Sequence, residues 1–142
     1  MLPESTRLIT VGCNHHTTPL DLRERMALSH EAVATLQERL RSHPSVREAA
    51  ILNTCNRVEI YAVTGEAAWS RELATILEEV NGFPAEEFLR YAYAHENLEA
   101  VRHAYRVAAG LDSQIVGETQ ILGQMKATYA SAIDQKTVGP VL

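Results

Sequence analysis

Two apolar runs with only a few polar residues between them restrict the possible folds of this chain more than any other feature. Glu48–Asn53 and Val58–Val63 are each rich in strand-forming side chains, and the break between them, Thr54-Cys55-Asn56-Arg57, is short enough to make a hairpin. In the second run Val58, Ile60 and Ala62 share one face, and Glu59, Tyr61 and Val63 share the other. The break carries a cysteine surrounded by a hydroxyl, an amide and a guanidinium group. A cation two residues away favours the thiolate, which is the nucleophilic form of cysteine. An ordinary hairpin tip with an exposed thiol fits the same residues, so the rest of the chain has to decide.

Arg7–Cys13 alternates as a first strand with Ile9, Val11 and Cys13 on one face; Gly12 inside it suggests a bulge or a close backbone approach. A polar segment, Asn14–Pro19, leads to a short helix over Leu20–Leu28. Ser29 is placed to cap a second helix whose apolar stripe is Val33, Leu36 and Leu40, ending before Pro44. After the hairpin, Trp69, Leu73, Ile76, Leu77 and Val80 predict a helix from about Ala68 to Val80, stopped by Asn81-Gly82 and kept from resuming by Pro84. Leu89–Ala94 is expected to be a short strand. A helix over Glu96–Ala109 is expected to bury Leu98, Val101, Tyr105 and Ala108, with His103 on the opposite, polar face beside Glu99 and Arg106. A last helix over Thr119–Gln135 is expected to bury Leu122, Met125, Tyr129 and Ile133, with Gln120 and Gln124 on its polar side. The order is close to βαββαβ. It predicts an α+β, two-layer sandwich with a ferredoxin-like split βαβ core and additional C-terminal helices.

A chain of 142 residues can bury one sizeable core, so residues 1–142 are expected to form one domain. No apolar run approaches a membrane span, and the first six residues show no signal or transit peptide. Two cysteines without an export signal are expected to stay reduced in a cytoplasmic location. There are seven basic and six acidic residues through Arg57, but six and twelve after it. That balance argues against broad nucleic-acid binding, while a local RNA contact near Arg57 stays open.

Other candidate sites weigh less. Cys13, His15, His16 and Cys55 are acceptable zinc ligands by type, yet their spacing matches no paired-ligand signature, and no metal is expected. His103 and the Gln120/Gln124 pair are each, by default, part of a solvated helix face. No glycine-rich phosphate cradle occurs anywhere in the chain.

Three longer segments change the balance. Asn53–Tyr61 resembles the nucleophile motif of glutamyl-tRNA reductases, Gly110–Gln124 is similar to a second signature of that family, and Gly12–Leu20 resembles its N-terminal signature. The similarity runs from about Leu8 to Tyr129. It implies the catalytic N-terminal domain, which forms a cysteinyl thioester with the glutamyl group of glutamyl-tRNA(Glu). NADPH then reduces the thioester to glutamate-1-semialdehyde for tetrapyrrole (porphyrin) biosynthesis.

Carried over by motif, Cys55 is the nucleophile and His103 an acid/base or orienting group. Thr54, Asn56, Arg57, Ser113, Glu118, Thr119, Gln120 and Gln124 fall at substrate-binding positions. Arg57 is expected to pair with the glutamate carboxylate, and Glu118 with the α-ammonium. Thr119 stands where many relatives have proline. The resemblance also implies NADPH-binding and dimerisation domains outside these residues, a homodimer at full length, a monomer for this chain alone, and glutamate-1-semialdehyde aminomutase as a candidate partner. A non-catalytic module that binds tRNA or a protein is the alternative.

Overall fold

The computed structural model describes residues 6–65, 69–113 and 120–142. Its centre is a four-stranded sheet built from β1 (Arg7–Asn14), β2 (Val46–Asn53), β3 (Arg57–Thr64) and β4 (Tyr93–Glu96). The strand order is β2-β3-β1-β4 and every pairing is antiparallel. With α1 (Leu20–Met26) and α2 (His30–Ser42) between β1 and β2, and α3 (Ser70–Asn81) and α4 (Ala85–Tyr91) between β3 and β4, this is the split βαβ order expected. The last helices, α5 (Leu98–Ala108) and α6 (Gln120–Asp134), follow β4.

Alternation along the strands divides the interior in two. Ile9, Val11 and Cys13 of β1 join Val58, Ile60 and Ala62 of β3, and pack with Leu36 and Leu40 of α2 and Leu73, Ile76 and Leu77 of α3. On the other sheet face Leu52 and Tyr61 meet Val107 of α5 and Ile121 and Ala132 of α6. Burying a large aliphatic side chain contributes about 1.5–3 kcal/mol, so the first and larger cluster anchors the fold. Ser29 caps α2 by accepting the Ala32 N–H at 3.0 Å, and Gly82 ends α3 with a left-handed φ of 78°.

Four expectations need correction. Helix α4 replaces the strand start expected at Leu89, because Pro84 sits at the N-cap and sets up a new helix rather than ending one. The strand itself lies later, at Tyr93–Glu96. Helix α5 turns the other way round: Leu98 is 69% and Tyr105 73% exposed, while Ala100 and Val107 are buried. Its small residues let the polar face approach the sheet, which offers charged and hydroxyl partners there. Helix α6 is also rotated, with Ile121 and Ala132 buried and Leu122, Tyr129 and Ile133 exposed.

Residues 137–142 finish the sheet edge. The Thr137 carbonyl accepts the Ala49 N–H at 2.7 Å, and the buried Glu48 carboxylate accepts backbone N–H groups from Gly139, Val141 and Leu142. An edge that would otherwise offer free backbone groups is thereby covered.

Gly12 fulfils the close approach anticipated for it. A Cβ there would lie 2.4 Å from the Val58 carbonyl oxygen and 2.9 Å from Glu59 Cα, backbone atoms that cannot yield. Gly12→Ala is expected to cost about 1–3 kcal/mol by prising β1 from β3, read as a lower urea midpoint.

Candidate active site

The β2–β3 turn is held from three directions. The Thr54 N–H donates to the Arg57 carbonyl at 2.8 Å, and the Thr54 hydroxyl accepts the N–H groups of Asn56 and Arg57, each at 3.2 Å. From α1, Arg23 donates to the Thr18 carbonyl at 3.1 Å, to the Cys55 carbonyl at 3.5 Å and to the Asn56 amide oxygen at 3.4 Å. Cys55 is thus exposed on a braced turn. A pocket of about 10 Å³, room for one water-sized body, lies between Cys55, Arg23, Arg57 and Cys13.

Arg57 points away from solvent. Its side chain is 1% exposed, with Nη1 donating to Asp112 Oδ2 at 3.0 Å and Nη2 to the Asp112 carbonyl at 2.7 Å. Glu59 Oε1 lies 3.6 Å from the same Nη1. Burial opposes the guanidinium charge, but Glu59 and Asp112 outweigh it and raise the pKa. Asn14 completes this group: its amide donates to Asp112 at 3.2 Å, and its carbonyl oxygen accepts the His16 and Thr17 N–H groups.

Glu59 is fully buried in β3 and gathers the donors. Tyr61 donates to Oε1 at 3.2 Å, while Tyr93 and His103 both reach Oε2. Burial pushes the Glu59 pKa up, yet the His103 hydrogen bond, the His103 and Arg57 charges and the Tyr93 hydroxyl prevail and lower it. Burial, and then the Glu59 charge, raise both tyrosine pKa values, so their hydroxyls stay donors. Because a carboxylate only accepts, His103 presents Nε2–H to it, leaving Nδ1 as the ring nitrogen that can take or give a proton.

A cavity of about 340 Å³ opens beside this cluster, lined by Asn14, Tyr93, His95, His103, Arg106 and Asp112 among others. His15, adjacent in sequence to both Asn14 and His16, has a lowered pKa, through burial first and then the charges of His16 and Arg57. Its two ring nitrogens have no hydrogen-bond partner among the described residues.

The family model "Glutamyl-tRNAGlu reductase, N-terminal domain" matches residues 11–142. The chain belongs to that family. The solved structure of the glutamyl-tRNA reductase from Methanopyrus kandleri is similar, with 32% sequence identity and a TM-score of 0.71. The match covers 93% of this chain but 29% of that one, so the present chain spans less than a third of its relative's length.

Within this reductase-family domain the residues singled out from the sequence fall into three groups. Thr54, Cys55, Asn56 and Arg57 share the turn, and Ser113 follows the Asp112 that Arg57 holds. His103 joins them indirectly, through Glu59 and Arg57. Gln120 and Gln124 are exposed on α6, and no hydrogen bond among the described residues ties Gln124 to the turn. Glu118 and Thr119 lie outside the described residues. Arg23, Glu59, Tyr93 and Asp112 escaped the sequence reading; the one available signal was a carboxylate at Glu59 inside an otherwise apolar strand. No three His, Cys, Asp or Glu side chains among the described residues are grouped to hold a metal ion, and no described helix is long and apolar enough to cross a membrane.

The two thiols of this domain differ sharply. Cys13 is buried, with its Sγ 4.0 Å from the Phe88 carbonyl, and burial pushes its pKa up to about 11 against a small opposing effect of Thr18. Iodoacetamide at pH 8 is expected to add one group to the native protein, at Cys55, and a second only after denaturation. Peptide mass mapping checks this.

Proposed function

We propose that this domain accepts the glutamyl group of glutamyl-tRNA(Glu) on Cys55 as a thioester. The observation that carries the reading is the exposed thiol on a turn braced by Arg23 and Thr54, beside a largely buried network in which Arg57 joins Asp112 and Glu59, and Glu59 joins His103. The Cys55 thiolate attacks the ester carbonyl of the aminoacylated ribose. A carbon–sulfur bond forms, the carbon–oxygen ester bond breaks, and the ribose oxygen leaves as a hydroxyl after taking a proton. Nothing is oxidised or reduced in this step.

His103 Nδ1 takes the proton of the Cys55 thiol as the thiolate forms and returns it to the leaving ribose oxygen, with Glu59 fixing the ring through Nε2. Thr54 and Asn56 shape the turn, and Ser113, Glu118, Thr119, Gln120 and Gln124 supply further polar contacts to the glutamyl group. Arg57 is committed to Asp112 and Glu59, so it acts by orienting Asp112 rather than by binding the substrate carboxylate directly. The Asp112 carboxylate, 20% exposed and lining the cavity, suits the α-ammonium of the glutamyl group.

NADPH supplies the hydride that converts such a thioester to an aldehyde in this family. The described residues do not fit it: the sheet is antiparallel throughout and has no parallel-strand crevice of the dinucleotide-binding kind. The same reading gives tetrapyrrole biosynthesis as the pathway, the cytoplasm as the location, a homodimer for the full-length protein and glutamate-1-semialdehyde aminomutase as the partner that takes the aldehyde.

Mixing the protein with glutamyl-tRNA and measuring its intact mass tests the proposal. A glutamyl adduct is expected that disappears in Cys55→Ser. An adduct that persists in that variant, or none at all with the native protein, overturns it.

A further inference from the structure

Every aminoacyl-tRNA carries its ester on the ribose of a terminal adenosine, so acylation of Cys55 needs a place for a nucleotide within reach of the turn. This inference rests on the function proposed above. The 340 Å³ cavity has the size of a small-ligand site, and its wall includes His103 and Asp112, both tied into the network behind Cys55.

Its lining suits a nucleotide. Tyr93, His95 and His103 form a run of rings, with 5.5 Å between the first two centroids and 4.7 Å between the last two. The His95 and His103 planes are 31° apart, giving an aromatic wall against which a base can stack. Burial first, then His103, pushes the His95 pKa down and favours its neutral form.

The cations complete the match. Arg102 and Arg106 line the cavity one turn apart on α5. Arg102 is paired with Glu99 at 2.8 Å, and Asp112 is held by Arg57 and Asn14. Arg106 has no carboxylate partner among the described residues, which leaves one fixed positive charge for an anion. A phosphate at Arg106 with a flat ring on His95 is the pattern of a nucleoside 5′-monophosphate.

We infer that this cavity seats the terminal adenosine of the tRNA, with the base against His95 and its 5′-phosphate at Arg106. The glutamyl ester then lies at the Asp112 end, toward the hairpin turn. Glutamate alone gives Arg106 and the ring wall nothing to do.

Adenosine 5′-monophosphate is the probe, titrated into the protein while the histidine imidazole signals are followed by NMR. Saturable shifts are expected at His95 and His103, with ribose 5-phosphate binding about fivefold more weakly for want of a stacked base. Arg106→Gln should weaken AMP about tenfold, while Arg106→Lys should restore most of the binding and lower its dependence on salt less than Arg106→Gln does. His95→Ala should erase the preference for AMP over ribose 5-phosphate.

Three results would overturn the inference: no shift at either imidazole, unchanged AMP binding in Arg106→Gln, or tighter binding of nicotinamide mononucleotide at the same residues. The last would mean that the cavity receives the hydride donor. Because AMP carries no ester, the outcome separates from the acylation test. A protein that binds AMP yet never acquires a glutamyl group contradicts the proposed function, and an acylated protein whose cavity ignores AMP contradicts this inference alone.

Discussion

Replacing Glu59 with alanine is expected to destabilise the fold by about 3–5 kcal/mol, as for the loss of one partner from a buried ion pair. The variant leaves the Tyr61 and Tyr93 hydroxyls and the His103 Nε2–H without their acceptor, and removes one of the two carboxylates facing Arg57. Against a total stability of about 5–15 kcal/mol this is a large share. Glu86→Ala is the control, because its pair with Arg71 is mostly exposed and such pairs are worth about 0–1 kcal/mol. Urea denaturation followed by circular dichroism compares the two. Equal midpoints would mean that the buried network does not form in solution.

The acid limb of stability follows from the same residue. The Glu59 pKa is lowered in the folded protein, so its contribution is present above the ordinary carboxylate value of 4.5 and is lost as pH falls through the folded value below it. Glu59→Gln should flatten that limb, read as urea midpoints measured against pH.

The part of the fold governed by local periodicity was legible in the residues. Alternation of Val58, Ile60 and Ala62 against Tyr61 and Val63 defined β3, and the hydroxyl of Ser29 marked the start of α2. Gly12 also announced a close approach, although not which strand made it. What periodicity could not supply was the nature of the opposing surface. Leu98, Val101 and Tyr105 form an apolar stripe on α5, and a helix wheel turns such a stripe inward. Here the sheet offers Glu59 and the Tyr93 hydroxyl, so His103 turns inward instead. That choice depends on β4 and β3 lying on either side of β1, a non-local fact.

The candidate site was legible in the same uneven way. The turn from Thr54 to Arg57 is contiguous in sequence, and Thr54, Cys55 and Arg57 do line one small pocket. Arg57 looked like a free fork for a carboxylate because the chain does not reveal that Asp112, 55 residues later, already occupies it. Arg23 was hidden by its setting among the charged residues of α1, where a solvated side chain is the default.

The account rests on Cys55 as the acyl acceptor, and complete loss of acylation is the largest functional effect it predicts. Thioesters are cleaved by neutral hydroxylamine, while amides are not. Cys13 is buried beside Phe88 with a pKa pushed up to about 11, so it should not compete as a nucleophile near neutral pH. The decisive measurement is peptide mapping of the protein after incubation with glutamyl-tRNA, with and without hydroxylamine. The predicted result is a single glutamyl group on the peptide containing Cys55, released by hydroxylamine. A glutamyl group on Cys13, or one on any residue that survives hydroxylamine, would contradict the account.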